Sequence, residues 1–146
     1  ERYIDYLRRN ENNDVLPVPG VLDLIRELRG RGVKLAIGSS APVREIELVM
    51  DIFNIRQYFA AVASGEEVPK SKPAPDTFLL AAKKLGVRPE ECIVIEDSDN
   101  GVRAAQNAGM KCVAFRNPKT KPQDLSFADV VVDDMKKITW ELLEKL

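Results

Sequence analysis

Three stations in the sequence hold side chains that could do chemistry: Ser39-Ser40, Lys72, and the adjacent carboxylates Glu96-Asp97. Ser39 follows an apolar run and precedes a helical pattern, so its hydroxyl and the next backbone N–H groups could hold an anion. Serine is equally suited to capping that helix, which is its commoner use at such a place. Lys72 is followed by Pro73 and Pro75, which restrict the backbone and would aim the side chain; the plainer alternative is a solvated charge. Glu96 and Asp97 end a hydrophobic strand, where two adjacent acids repel each other. A hard cation such as Mg²⁺ would relieve that repulsion. Alternatively Asp97 or Ser98 simply caps the helix that follows. Asp97-Ser98-Asp99 also has the D-x-D form of a metal-binding tripeptide, although Asp99 equally reads as a first-turn acid facing the helix dipole.

Spacing gathers these stations together. Lys72 lies 33 residues after Ser39, and Asp97 lies 25 after Lys72, about one strand-helix unit each. A hydroxyl, a cation and an acidic pair then converge on one edge of one sheet. Phosphate needs such a set: a neutral donor, a positive charge and a divalent metal to bridge its oxygens.

Composition removes the competing chemistries. The 146 residues contain no histidine, which excludes a Ser-His-Asp triad, a His general base and a His-ligated zinc site. Lys and Arg number 22 against 23 Asp and Glu, a formal charge of −1. No global basic field is present for nucleic acid or an anionic membrane, and the longest apolar runs are too short to span a bilayer. Cys92 and Cys112 read as two thiols buried in strands in a reducing, cytoplasmic compartment rather than as a disulfide or metal pair.

The elements that must position the stations alternate along the chain. Residues 1–10 read as a helix tail. Val21, Leu22, Leu24, Ile25 and Leu28 recur at helical spacing before Gly30 and Gly32. Val33 to Ile37 is a short strand leading into the turn Gly38-Ser39-Ser40-Ala41-Pro42, whose proline suits the first position of a helix carrying Ile46, Val49, Met50 and Phe53. Phe59 to Ala63 is a second strand, followed by polar Ser64 to Glu67. A helix over Asp76 to Leu85 precedes the strand Cys92 to Glu96, which lacks polar alternation as though both its faces were covered. A helix ending at Gly109, strands at Lys111 to Phe115 and Val130 to Val132, and a terminal helix complete the pattern of a parallel α/β sheet. Ligands of such sheets bind beyond the C-terminal strand ends, where all three stations fall.

Three segments resemble the second, third and fourth motifs of the haloacid dehalogenase-like hydrolases: Leu35-Ala-Ile-Gly-Ser-Ser-Ala-Pro42, Lys70-Ser-Lys-Pro-Ala-Pro-Asp76 and Ile93-Val-Ile-Glu-Asp-Ser-Asp-Asn-Gly-Val102. The nearest branch holds β-phosphoglucomutase and small sugar-phosphate phosphatases, and the likeness runs from Pro19-Gly20 through Val132-Asp133. The resemblance implies a three-layer, Rossmann-like α/β core. It implies that Ser39 and Ser40 bind the substrate phosphate, that Lys72 neutralises it and orients the nucleophile, and that Glu96 and Asp97 bind Mg²⁺.

The departure from the family is its first motif, D-x-D-G-[TV], whose two aspartates are the nucleophile and the acid/base. No strand before Ser39 carries it. The expectation is therefore a core over residues 15–146 that lacks the first, central strand, with residues 1–14 as the last cap helix and linker. That strand belongs between those ending at Ser39 and Glu96, so the polypeptide is expected to need an N-terminal segment of the same protein to fold stably. The intact protein is expected to be a Mg²⁺-dependent phosphatase of a small phosphorylated metabolite, acting through an aspartyl-phosphate whose Asp lies outside this chain. A phosphomutase is the alternative within the class. A non-catalytic phosphate-binding or regulatory module is the alternative outside it.

Overall fold

A computed structural model describes residues 18–146; the cap helix and linker expected over 1–14 lie outside the described residues. Ten regular elements follow in order: α1 (Val21–Gly30), β1 (Ala36–Ser39), α2 (Val43–Ile52), β2 (Ala61–Ser64), α3 (Asp76–Leu85), β3 (Ile93–Glu96), α4 (Asp99–Asn107), β4 (Lys111–Phe115), β5 (Val130–Val132) and α5 (Trp140–Glu144). Every strand pairing is parallel: β1 with β2, β3 with β4, and β4 with β5.

Period-two alternation along β4 sorts the core into layers. Cys112 and Ala114 join Val94, Phe78 and Ala82 of α3, and Val102, Ala105 and Ala108 on one side. Val113 and Phe115 join Leu24 and Leu28 of α1, Val132 and Met135 on the other. A third cluster packs Ile46 and Met50 of α2 with Ile55, Ile37, Val62 and the second apolar row of α1, Leu22 and Ile25. The result is the three-layer α/β/α arrangement expected from the alternation of elements.

The strands form two sheets, β1-β2 and β3-β4-β5, so β1 and β3 each keep one edge without a strand partner among the described residues. This break falls where the sequence places the absent central strand. It also corrects one expectation. β3 was expected to be covered on both faces, yet Ile93 and Ile95 are 39% and 37% exposed while Val94 between them is buried. Their row lies beside the unpartnered edge, where no neighbouring strand shields it.

Strand boundaries shift as well. The first strand covers Ala36–Ser39 rather than Val33 to Ile37, because the Val33 N–H donates to the Leu28 carbonyl and closes α1 (3.1 Å). The ladder to β2 starts only at Ala36 opposite Ala61 and ends at Ser39 opposite Ser64. Ser39 is thus the last strand residue rather than part of the turn. Pro42 takes the N-cap of α2, one position before the place expected for it. Cys92 precedes β3, capping the 3₁₀ turn Pro89–Glu91, and both cysteines are free.

Candidate functional site

Lys72 lies in the loop between β2 and α3, behind a cis Lys72–Pro73 bond, and reaches into the break between the sheets. Its Nζ donates to the Gly38 carbonyl at the end of β1 (3.0 Å) and to Glu96 Oε2 at the end of β3 (2.8 Å). The ammonium also sits 4.4 Å from the centre of the Phe78 ring, a cation–π contact. The Lys72 and Glu96 side chains are only 11% and 12% exposed, so the solvated-charge reading of Lys72 fails. A charge this buried needs partners, and the strand ends and the ring supply them.

The other oxygen of Glu96, Oε1, accepts from the Asp97 N–H (3.0 Å) and the Ser98 hydroxyl (3.4 Å). Gly101 in the first turn of α4 makes room for this: a Cβ there would overlap the Glu96 carboxylate. Ser98 is the N-cap of α4, accepting from the Gly101 N–H (3.0 Å), so the capping reading holds for Ser98. The D-x-D reading does not. Asp99 turns away to accept from Arg103 (2.5 Å), and its N–H donates to Gln123 Oε1 (3.0 Å). Asp97 is half-buried beside a small cavity shared with Arg116, Thr120 and Lys121 of the β4–β5 connection.

At the Ser39 station the side chain does not cap α2. Its Oγ accepts from the Ala41 N–H (3.1 Å) and tightens the turn, while Ser40 is exposed. The first N–H of α2, on Val43, donates instead to Glu66 Oε2 (3.2 Å). Fully buried Ser64 donates from Oγ to the Ala41 carbonyl (2.6 Å) and accepts from the Glu66 N–H (3.1 Å). Behind it Glu67 accepts from the Ser64 N–H (2.8 Å) and from Lys84 of α3 (2.6 Å), and the Lys84 ammonium holds the Glu67 carboxyl below its ordinary range. This clasp from the end of β2 went unread in the sequence, where Ser64 to Glu67 looked like a polar tail. The available signal was the register: Ser64 stands directly opposite Ser39.

The structure therefore gathers the end of β1, Lys72 and Glu96 at one point, with Asp97 next in sequence and Ser39 next to Gly38. Among the described residues no three acidic, cysteine or histidine side chains come together. Glu96 and Asp97 alone supply carboxylate oxygens, which suits Mg²⁺: it is commonly bound by one or two carboxylates, with waters and phosphate oxygens completing an octahedron. Buried Cys112, on the strand next to β3, has its thiol pushed up to about 12, chiefly by burial, with the Glu96 and Asp129 carboxylates adding to it. It is therefore no nucleophile near neutral pH.

Comparison with known proteins agrees with this geometry. A model of the haloacid dehalogenase-like hydrolase family matches residues 3–109. Protein CbbY of Cereibacter sphaeroides is 32% identical over 141 residues, covering 94% of this chain and 60% of that protein. Fructose-1-phosphate phosphatase YqaB of Escherichia coli is 39% identical over 104 residues, 71% of this chain and 54% of that protein. The crystal structure of β-phosphoglucomutase from Clostridium difficile superposes with a TM-score of 0.80 at 28% identity, over 98% of this chain and 60% of that one. The chain thus spans somewhat over half the length of these relatives. No described helix is long and apolar enough to cross a membrane. With the family model matching most of its length, the chain belongs to the haloacid dehalogenase-like hydrolases.

Proposed function

We propose that the intact protein is a cytoplasmic, Mg²⁺-dependent phosphatase of a small phosphorylated metabolite, a sugar phosphate by analogy with the named substrates of its relatives. The observation that supports this best is Lys72, held in a desolvated position between the Gly38 carbonyl and Glu96. A buried ammonium at the junction of two parallel strand ends is suited to neutralise an incoming phosphate. In this reading Ser39 and Ser40 donate to the phosphate oxygens, and Glu96 and Asp97 hold Mg²⁺, which when bound shields the charge of the phosphate. Glu96 also fixes Lys72, and Gly101 and Ser98 fix Glu96.

The nucleophile and the acid/base belong, in this proposal, to a strand of the same protein that completes the sheet between β1 and β3. The unpartnered edges of those strands and the exposed row of Ile93 and Ile95 support that arrangement, since open strand edges seek partners. A phosphomutase is the second reading, favoured by the close superposition on β-phosphoglucomutase.

The test is phosphate release from p-nitrophenyl phosphate by the intact protein. Mg²⁺-dependent release that falls at least about 100-fold in Asp97→Ala is expected. No release with Mg²⁺ present, or undiminished release by the variant, would refute the assignment.

A further inference from the structure

Asp97 stands between two fixed points. On one side Lys72 holds the Glu96 carboxylate (2.8 Å), which also accepts from the Asp97 N–H (3.0 Å). On the other side α4 begins, and the first N–H of that helix, on Asp99, donates to Gln123 Oε1 (3.0 Å). Gln123 lies 24 residues further along, in the connection between β4 and β5. The Ser98 cap serves the Gly101 N–H, which leaves the Asp99 N–H to a residue from a distant loop.

Gln123 is itself held. Its backbone carbonyl accepts from Arg116 (3.4 Å) at the start of the same connection. Its neighbour Asp124 pairs with Arg103 of α4 (3.8 Å), whose guanidinium also donates to Asp99 (2.5 Å) and stacks 4.4 Å over the Phe127 ring. Asp124 in turn accepts from the Ser126 N–H (3.0 Å) and hydroxyl (2.6 Å). The β4–β5 connection thus grips the first turn of α4 at two points, the Asp99 N–H and the Arg103 side chain. Gln123 and Asp97 line the same small cavity. Exposed ion pairs such as Arg103 with Asp124 are worth little singly. The Gln123 bond is the one that fixes backbone two residues from Asp97.

We propose that Gln123 is a positioning residue for metal binding: by holding the Asp99 N–H it fixes the backbone beyond Asp97, so that less of this loop has to be ordered when a divalent cation binds. The proposal rests on the reading of Glu96 and Asp97 as Mg²⁺ ligands, and goes beyond it by making metal affinity depend on the β4–β5 connection. Hydrogen-bonded partners that orient metal ligands commonly cost about 10- to 100-fold in metal affinity when removed.

The test is direct metal binding by the intact protein without substrate, read as the signal of free Mn²⁺ in electron paramagnetic resonance, with Mn²⁺ standing in for Mg²⁺. Gln123→Met keeps the length of the side chain and removes the acceptor; Gln123→Glu keeps an acceptor oxygen at the same reach. The Met variant is expected to raise the Mn²⁺ Kd about tenfold, and the Glu variant to leave it within about threefold of wild type or to lower it. A residue that only stabilised the fold would lower the urea midpoint and leave the Kd of the folded protein unchanged. An unchanged Kd in Gln123→Met therefore overturns the proposal, and so does an equal loss in both variants. Gln123→Ser, too short to reach the Asp99 N–H, is expected to match the Met variant and takes its place should that variant fail to fold. Asp97→Ala in the same titration separates this proposal from the reading beneath it. Weakened binding in Asp97→Ala with none in Gln123→Met refutes the positioning role alone, whereas wild-type binding by Asp97→Ala refutes the metal site and the positioning role together.

Discussion

Removing Lys72 tests how the two sheets are tied at the site. In Lys72→Met the Glu96 carboxylate, 12% exposed, keeps only the Asp97 N–H and the Ser98 hydroxyl. A buried carboxylate left without its cation costs about 3–5 kcal/mol in comparable cases. The lower end applies here, because two donors remain. Glu96→Gln leaves Lys72 with the Gly38 carbonyl and the Phe78 ring, a milder loss of about 2 kcal/mol. The double variant leaves no unpaired charge on the carboxylate side, so its cost should fall short of the sum by at least about 1.5 kcal/mol. The assay is urea unfolding of the intact protein at pH 7 in EDTA, so that no divalent ion substitutes for the lysine. Costs that add to within about 0.5 kcal/mol would show that the 2.8 Å contact carries no coupling, and the reasoning about Lys72 would fail.

Three further outcomes follow from packing and burial. Gly101→Ala should destabilise by about 2–3 kcal/mol, because its Cβ overlaps a Glu96 side chain that hydrogen bonds hold in place; Gly30→Ala, where a Cβ meets nothing within 4 Å, should be neutral or slightly stabilising. The raised Cys112 pKa makes a contribution that is whole below the unfolded value of 9.0 and is lost as pH climbs to about 12; over those three units it amounts to at most about 4 kcal/mol. Urea midpoints should therefore fall from pH 9 upwards, less steeply in Cys112→Ala. At pH 8, thiol labelling mapped by mass spectrometry should reach half-exposed Cys92 and spare Cys112 until the protein unfolds; equal labelling of both would contradict the burial.

Much of the site was legible in the sequence because it depends on residue type and on spacing of one strand-helix unit. The meeting of Lys72 with Glu96 emerged that way, as did the Ser98 cap, a local feature of a serine before a helix. The break between β1 and β3 was legible too, since the family that the sequence resembles carries the strand of its first motif between those two. What stayed hidden depends on contacts between distant segments. That Glu66 rather than Ser39 would satisfy the first N–H of α2 follows from the β1–β2 register, which pairs Ser39 with Ser64 and brings the two residues after β2 against the turn. The apolar run Val33 to Ile37 shows the same limit from the other side. Its pattern marked a strand, but the Leu28 carbonyl claims the Val33 N–H for the end of α1, and the ladder starts three residues later.

Where a transferred phosphoryl group comes to rest is the most direct measure of the central claim, that this chain supplies the phosphate-binding and metal-binding side chains while an aspartate elsewhere in the protein makes the covalent attack. The intact protein can be mixed with p-nitrophenyl phosphate and Mg²⁺, quenched in acid, digested, and the modified peptide sequenced by mass spectrometry. The expected adduct is an acyl phosphate on an aspartate outside residues 18–146, with Ser39, Ser40 and Asp97 unmodified. A stable phosphate ester on Ser39 or Ser40, or an acyl phosphate on Asp97, would contradict it.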